Sequence, residues 1–201
     1  MKNYEIRKLL NKIKNIEDKE TLYLINKLIR ERNYLMDIAY KDSLTGLNNR
    51  RSLNSIDKYS AVVMCDIDDY KQVNDLYGHI AGDSIIKIIS DIIKTNIRKK
   101  DYACRYGGDE FLIAFVDGTE DYVYEQVDKI RKQAESSVIL PDEDSITMSF
   151  GIVINRGKDL VELIEQADAA LYESKEKGKN QITLYKSKKK KINATLKKKS
   201  S

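Results

Sequence analysis

The sequence predicts a domain of the α+β class, with helices packed on a sheet. Two apolar segments of strand-like composition, residues 102–106 and 111–116, flank Gly107-Gly108. Such a pair is typical of a tight hairpin, because glycine adopts positive φ at no steric cost. Helical segments separate the other strand-like segments along the chain. With 41% apolar residues in a chain of 201, one medium-sized domain with a substantial core is expected.

The first forty residues are predicted to be helical, because they are rich in Leu, Ile, Lys and Glu and contain neither Gly nor Pro. Apolar residues recur with 3-4-3 spacing in two registers that do not join across residues 17–19, so we expect two helices or one helix with a stutter. The registers are Ile6, Leu9, Ile13 and Ile16, then Leu24, Leu28, Glu31, Leu35 and Ile38. Two partners for this stripe stay open: a second copy of the chain, or the chain's own domain.

The remaining elements follow in order. Residues 61–65 form a short buried strand and residues 71–75 a weakly helical segment. Residues 78–83 form a turn whose last residue, Asp83, N-caps a long helix from residue 84 to about 98. Further elements are predicted at residues 119–135 (helix), 145–155 (strand), 159–176 (helix) and 181–185 (strand).

Carboxylates cluster where two predicted strands begin or end. Asp66 and Asp68 end the strand at residues 61–65, and Asp109 and Glu110 open the strand after the hairpin. If these strands pair centrally, Asp66 and Asp109 are neighbours. Carboxylates beside a buried sheet are costly unless a cation neutralises them, and oxygen-only ligands suit Mg²⁺ or Mn²⁺ rather than zinc. The alternative for the hairpin is an ordinary exposed turn, and for Asp68 either support of the metal ligands or a surface position.

The formal net charge of +4 is unevenly distributed. Residues 186–201 contain eight lysines and no acidic residue, so residues 1–185 carry a net charge of −4. We expect residues 187–201 to be a solvated tail, with contact to an anionic membrane or nucleic acid as the alternative. No apolar run approaches the roughly 20 residues of a membrane helix, and because the first residues lack an apolar h-region we expect no signal peptide. Cys65 and Cys104 lack metal-type spacing, so we expect buried free thiols and a cytoplasmic protein without a transmembrane segment.

Six motifs occur in one order over residues 42–185. They are Asp42-x-Leu-Thr-Gly-Leu-x-Asn-Arg50, Asp66-Ile-Asp-x-Tyr-Lys71-x-x-Asn74-Asp75, Gly78-His-x-x-Gly-Asp83, Arg105-Tyr-Gly-Gly-Asp-Glu-Phe111, Ser149-Phe-Gly151 and Ala170-Leu-Tyr-x-x-Lys175-x-x-Gly-Lys179-Asn180. A lone Gly-Gly-Asp-Glu-Phe would be weak, but six ordered motifs are specific. With them the chain resembles the GGDEF-domain diguanylate cyclases.

This resemblance implies a sheet like the palm of nucleotidyl cyclases and polymerases. It implies three segments: a helical, possibly dimerising segment (1–40), the GGDEF domain (41–186) and the lysine-rich tail (187–201). It also implies a reaction in which two GTP condense to cyclic di-GMP and release pyrophosphate, with the two sites facing each other across a homodimer. In that reaction the 3′-hydroxyl of one nucleotide attacks the α-phosphate of the other.

The resemblance also implies roles for individual residues. Metal ions would be held by Asp66, the Ile67 carbonyl and Asp109, and Asp109 and Glu110 would be catalytic, Glu110 through the metal or a proton. Guanine would be read by Asn74 and Asp83, and the β- and γ-phosphates would be neutralised by Lys71, Lys175 and Lys179. The family often has arginine where Lys179 stands, and lysine keeps the charge but loses the bidentate fork.

Arg98 and Asp101 stand where the family places its Arg-x-x-Asp inhibitory site, which binds the product cyclic di-GMP and stops turnover. A structural alternative is an exposed ion pair at a helix end. There are two functional alternatives to an active enzyme. A catalytically silent cyclic di-GMP receptor or signalling scaffold conflicts with the presence of Asp66, Asp109 and Glu110. A nucleic-acid binder needs a folded basic face, whereas the basic excess is confined to the tail.

Overall fold

A computed structural model describes residues 18–55, 59–138, 140 and 145–186. Its centre is one six-stranded sheet in the order β1-β3-β4-β2-β5-β6. The strands are β1 (Asn48–Asn49), β2 (Ala61–Ile67), β3 (Tyr102–Arg105), β4 (Glu110–Phe115), β5 (Met148–Ile154) and β6 (Ile182–Leu184). The helices are α1 (Lys19–Tyr40), α2 (Tyr70–Asn96), α3 (Glu120–Ser137) and α4 (Leu160–Glu176), with a 3₁₀ helix at Arg50–Ser55. The predicted α+β class is confirmed.

The central strand β2 is buried along its whole length and pairs antiparallel with both β4 and β5. Alternate side chains of a strand point to opposite faces, so a strand covered on both sides is apolar throughout. Val63 and Cys65 pack in the cluster that includes α2 and α3 residues, whereas Val62 and Met64 pack in the one that includes α4 residues. The sheet is therefore the middle of three layers. Both cysteines are free and buried, as predicted.

Helix α2 departs from the prediction. Its helical geometry breaks at Gly78, which has φ +80° and ψ 163°, and resumes directly afterwards. Asp83 lies inside the second half of the helix and is exposed, so the prediction that it N-caps a helix from Ser84 was wrong. One glycine suffices to break the helix, and the second, Gly82, adopts helical geometry, so no turn extends to residue 83.

Helix α1 confirms the helical prediction for residues 19–40. Asp18 N-caps it by accepting hydrogen bonds from the N–H groups of Glu20 and Thr21. No residue of the helix is buried, and the four apolar residues of the second register are 51–64% exposed: Leu24, Leu28, Leu35 and Ile38. The first register lies outside the described residues, as does the tail at 187–201. None of the described helices is long and apolar enough to cross a membrane.

Helix α4 lies against the backbone of β5 at Gly151. A Cβ at this position would lie 2.1 Å from the carbonyl oxygen of Ala167 and 2.2 Å from the nitrogen of Leu171. Ser174 Oγ adds a 2.7 Å hydrogen bond to the carbonyl of Phe150. The helix is therefore seated directly on the sheet just before Lys175.

Candidate active site

The pairing of β2 with β4 brings the predicted carboxylates together. Asp66 lies opposite Glu110 in the register, and the Ile67 N–H donates to the Asp109 carbonyl at 3.3 Å. The prediction that Asp66 and Asp109 are neighbours is therefore confirmed. Both belong to strand ends at one edge of the sheet.

Asp66 is a buried charge with one close cation. It is 6% exposed, and its Oδ1 lies 2.9 Å from Lys175 Nζ. Burial, helped by the negative charges of Asp109 and Glu110, raises the pKa of Asp66 to about 6, although the hydrogen bond and charge of Lys175 act in the opposite direction. The site therefore attracts cations beyond the one it already contacts.

The hairpin uses its glycines differently from the prediction. Neither Gly107 nor Gly108 has a positive φ, so the expected reason for the glycine pair was wrong. The N–H groups of Tyr106 and Gly107 both donate to the Glu110 carbonyl, at 2.8 and 3.2 Å. A Cβ at Gly107 would lie 2.3 Å from Glu110 Oε2. Glycine at 107 thus makes room for the Glu110 side chain.

Arg105 holds the hairpin in place, and sequence reasoning gave it no role. Its Nε and Nη2 donate to the Gly108 carbonyl at 2.9 and 2.6 Å, and its Nη1 lies 3.4 Å from both carboxylate oxygens of Asp42. Burial alone would raise the pKa of Asp42, but hydrogen bonds from Thr45 and the Arg105 charge outweigh it and keep that pKa below its usual value. The carboxylates of the hairpin are thereby tied to the segment that follows α1.

The predicted guanine-reading residues meet across the kink of α2. Asn74 Oδ1 is buried and has no hydrogen-bond partner among the described residues. A Cβ at Gly82 would lie 2.1 Å from that oxygen and 2.7 Å from the Tyr70 hydroxyl. Asp83 follows Gly82 directly. An unpartnered buried acceptor is costly, so this oxygen is suited to a ligand with N–H donors.

Tyr70 connects the two halves of the site, although sequence reasoning did not select it. Burial raises the pKa of its hydroxyl, the neighbouring Asn74 amide lowers it, and the charges of Asp83 and Asp109 raise it while that of Arg105 lowers it. Tyr70 is thus close enough to be affected by the charges of both Asp83 and Asp109. It therefore lies between the polar side chains of α2 and the carboxylates of the sheet.

The three predicted phosphate-binding lysines also lie around the end of β2. Lys71 is exposed on the first turn of α2, which begins directly after that strand end. Lys175 contacts Asp66, and Lys179 Nζ contacts the two carboxylate oxygens of Asp69 at 2.6 and 2.7 Å. The ion pair with Asp69 raises the pKa of Lys179. Two of the three lysines are therefore paired with a carboxylate at this edge.

Asp68 is not a surface residue. It is 4% exposed and accepts hydrogen bonds from Thr147 Oγ1 and Ser149 Oγ, both at 2.7 Å. It also accepts from the Asn180 N–H at 3.1 Å. The alternative of a surface position was therefore wrong, because the side chain points into the layer between β5 and the α4–β6 turn.

Arg98 and Asp101 form a bidentate pair, with Nε–Oδ2 at 2.7 Å and Nη2–Oδ1 at 2.9 Å. The Asp101 side chain is fully buried and also accepts from the Val116 N–H, so the alternative of an exposed ion pair was wrong. Burial alone would raise the pKa of Asp101, but Arg98 and the backbone donors keep it below its usual value. The Arg98 guanidinium additionally lies 4.5 Å from the centre of the Tyr122 ring. A shallow basic pocket beside the pair is lined by Lys41, Lys94, Arg98 and Lys99.

The donor atoms at the end of β2 fit a hard divalent cation. They are oxygens, and the burial of Asp66 among other carboxylates favours positive charge, which Lys175 supplies in part. Within the described ranges, no group of three or more His, Cys, Asp or Glu side chains forms a ready metal cage. A cation held here by one or two carboxylates could complete its coordination with water, a backbone carbonyl or a bound phosphate.

Comparisons with known proteins agree with this arrangement. The family model described as "Diguanylate cyclase, GGDEF domain" matches residues 39–181. Diguanylate cyclase DosC of Escherichia coli is 34% identical over 160 residues, which cover 72% of this chain and 35% of that protein. Diguanylate cyclase A of Treponema denticola is 37% identical over 130 residues, covering 63% of this chain and 35% of that protein. The chain thus spans about a third of the length of these relatives.

Among solved structures, the coiled coil and GGDEF domain of DgcB from Caulobacter crescentus, in complex with c-di-GMP, superposes with a TM-score of 0.74. It is 27% identical, and the match covers 82% of this chain and 95% of that one. Fold, site and sequence agree, and the chain belongs to the diguanylate cyclase GGDEF-domain family.

Proposed function

We propose that the chain is a diguanylate cyclase, which condenses two GTP into cyclic di-GMP and releases pyrophosphate. The proposal is carried by one juxtaposition: Asp66 and Asp109 are neighbours, and the charge of Asp109 reaches Tyr70, which lies beside Gly82 with the unpartnered Asn74 Oδ1. The Asp66 and Asp109 carboxylates are suited to a cation that accompanies a triphosphate. Asn74 Oδ1 is suited to a base that donates hydrogen bonds. GTP as substrate places the domain in the cytoplasm.

Guanine is proposed to bind across the kink of α2. Its N1–H and N2–H₂ groups are donors, and Asn74 Oδ1 and the Asp83 carboxylate are acceptors on either side of Gly82. Adenine has no N1–H, so it would leave one of these acceptors unpaired. Gly82 is required because a larger residue would displace the Asn74 side chain.

The triphosphate is proposed to lie at the end of β2, where Lys71, Lys175 and Lys179 neutralise its charge. Asp66, the Ile67 carbonyl and Asp109 would hold Mg²⁺ or Mn²⁺, which would acidify the attacking 3′-hydroxyl and stabilise charge on the leaving pyrophosphate. Lys175 would exchange Asp66 for phosphate oxygens while the cation neutralises Asp66, and Lys179 would exchange Asp69, whose half-exposed carboxylate water can then hydrate. Glu110, opposite Asp66, would either contact the cation or accept the 3′-hydroxyl proton.

The reaction needs two sites, so we propose a homodimer in which each copy supplies one GTP. The stripe Leu24, Leu28, Leu35 and Ile38 follows the spacing of a two-stranded coiled coil, and among the described residues these four are 51–64% exposed. A symmetric helix pair would therefore bring two copies together.

Cyclic di-GMP is proposed to inhibit the enzyme by binding at Arg98 and Asp101, beside the basic pocket that includes Lys41 and Lys99. A receptor without catalysis would need this site alone. It would not need the buried Asp66 beside Asp109 and Glu110, whose mutual repulsion is unfavourable without a ligand. The enzyme is therefore the better-supported proposal.

The direct test incubates purified protein with GTP and Mg²⁺ and measures cyclic di-GMP and pyrophosphate by liquid chromatography. We expect product from GTP and none from ATP at the same concentration. Absence of product with either Mg²⁺ or Mn²⁺, at protein concentrations that support dimers, would reject the proposed function.

A further inference from the structure

The turn between α4 and β6 has an unusual backbone. Gly178, Lys179 and Asn180 have φ values of +111°, +64° and +47°. In the described part of the chain, the non-glycine residues with positive φ are Asp69, Lys179 and Asn180, and Lys179 is ion-paired with Asp69. Left-handed conformations of such residues persist only where the surroundings impose them, and they concentrate at functional sites. The contacts of this turn show what imposes them.

Asn180 makes four hydrogen bonds to residues outside the turn. Its Oδ1 accepts from Arg131 Nη1 at 2.9 Å, and its Nδ2 donates to Glu135 Oε1 at 2.9 Å. Its backbone N–H donates to Asp68 Oδ2 at 3.1 Å, and its carbonyl accepts from Arg131 Nη1 at 3.4 Å. Both ends of the side-chain amide are thus fixed by α3, and the backbone is fixed by α3 and by the end of β2.

The α3 side chains that hold Asn180 are themselves held by contacts within their own helix. Arg131 is 17% exposed at its side chain and donates from Nε to Asp128 Oδ1 at 3.0 Å. Its Nη1 also reaches Glu135 Oε2 at 3.3 Å. Arg131 and Glu135 therefore form a clamp that contacts Asn180 and is held by their mutual contact and by Asp128 of the same helix.

We propose that Asn180, clamped by Arg131 and Glu135, is a positioning residue that keeps Lys179 directed at the phosphates. This rests on the proposed role of Lys179 in binding GTP. Lys179 precedes Asn180 in the strained turn, and its ammonium lies at Asp69, beside the end of β2. Without the clamp the turn would relax towards right-handed geometry, and the ammonium would leave this position. Helix α3, remote from the chemistry, would thereby set nucleotide affinity.

The test measures, by calorimetry with Mg²⁺, the Kd of a GTP analogue that carries a methylene bridge between its α and β phosphorus atoms. This analogue binds without turnover, so the result does not depend on cyclase activity. We expect Arg131→Ala and Lys179→Ala each to raise Kd by about tenfold, as for loss of a charge-assisted contact. The double variant should bind no more weakly than Lys179→Ala, because the clamp acts only through that lysine. Lys132→Ala, which removes the neighbouring exposed lysine of α3, is the matched control and should change nothing.

A conservative pair separates positioning from folding. Glu135→Gln keeps an acceptor for Asn180 Nδ2 and should bind the analogue like wild type, whereas Glu135→Ala should not. Asn180→Gly keeps access to the left-handed backbone but loses both side-chain contacts, so it should also weaken binding. Additive effects of Arg131→Ala and Lys179→Ala, or equal binding by Arg131→Ala and Lys132→Ala, would overturn the positioning role. Unchanged binding by Lys179→Ala would overturn both the positioning role of Asn180 and the phosphate role of Lys179. Cyclase activity would still be decided separately, by the assay with GTP and Mg²⁺.

Discussion

At the scale of single residues, Asp109 has to act through its charge. An amide is a much poorer ligand for Mg²⁺ than a carboxylate, so we expect Asp109→Asn to lower cyclic di-GMP formation by at least about a hundredfold. The fold should be unaffected, because the structure gives the Asp109 backbone a contact with Ile67 that the substitution keeps. The matched control is Asp117→Asn, an exposed carboxylate just beyond the other end of β4. Turnover of Asp109→Asn at the wild-type rate and saturating metal would contradict the metal role.

Asp83 should determine base selection. Asp83→Ser removes one acceptor for guanine, so we expect the ratio of kcat/KM for GTP over ATP to fall by about tenfold or more. Asp91→Ser, at an exposed position further along α2, is the control for loss of a negative charge on this helix. If Asp83→Ser discriminates as well as wild type, guanine is read elsewhere.

The buried Asp66 carboxylate should lower the free energy of unfolding once it is ionised, so its effect should depend on pH. Burial raises its folded-state pKa to about 6, whereas an unfolded aspartate titrates near about 3.9. The folded chain therefore binds more protons between these values, and stability falls as pH rises from about 4 to about 6. Without divalent cations, Asp66→Asn should raise the free energy of unfolding by about 1–3 kcal/mol above about pH 6, and by almost nothing near about pH 4. Urea denaturation at both pH values measures this, and an equal difference at the two would contradict it.

Not every residue of the site could be predicted from sequence. The Asp66–Asp109 neighbourhood was predictable because apolar segments located the strand ends. The roles of Arg105, Tyr70 and Asn180 were not, because each depends on partners brought close only by the fold: Asp42, Asp83 and Arg131. Gly107 was predicted for the wrong reason. A sequence cannot show whether a glycine is needed for a positive φ in a turn or for space beside another side chain, here that of Glu110.

At the scale of elements, α1 is the proposed dimerising device. Its stripe is exposed, so polar substitutions there should not affect the folding of a single copy. We expect Leu28→Asp with Leu35→Asp to lower specific activity steeply at low protein concentration and less at high concentration, as mass action requires. The control is Asn33→Asp, on the opposite face of the helix. Sedimentation should report a matching loss of dimer.

Truncation provides a second test of whether α1 brings two copies together. Deleting residues 1–38 removes the whole stripe and should have the same concentration-dependent effect. A truncated chain with full activity at every concentration would show that the two copies associate through another surface.

Periodicity located the helices and strands of the sheet, but it could not locate the break in α2. The apolar pattern of that helix is compatible with a start on either side of Gly82, since both Gly78 and Gly82 are potential breaks. The backbone angles distinguish them, because Gly78 has φ +80° and ψ 163° whereas Gly82 stays helical.

At the scale of the whole molecule, the product should regulate its own synthesis through the connection between α2 and β3. Arg98 also neutralises the buried Asp101, so Arg98→Ala should lower stability by about 1–3 kcal/mol as well as relieve inhibition. Arg98→Lys keeps the charge but loses the bidentate geometry, so it is the cleaner variant. We expect its initial rate to be intact and its progress curve to stay linear longer. Lys100→Ala, at the neighbouring exposed ion pair, is the control. An Arg98→Lys enzyme that still stalls as cyclic di-GMP accumulates would contradict the inhibitory site.

Gly151 sets how far α4, which carries the proposed phosphate ligand Lys175, stands from the sheet. No side chain separates β5 from α4 at this position, so the helix rests on the strand backbone, and Lys175 lies one turn beyond the contact at Leu171. A single methyl group inserted here would act as a wedge under the helix and carry the Lys175 ammonium away from Asp66. The proposed contact of Lys175 with the substrate therefore depends on the distance between β5 and α4 at Gly151, a residue that has no ligand-binding group of its own.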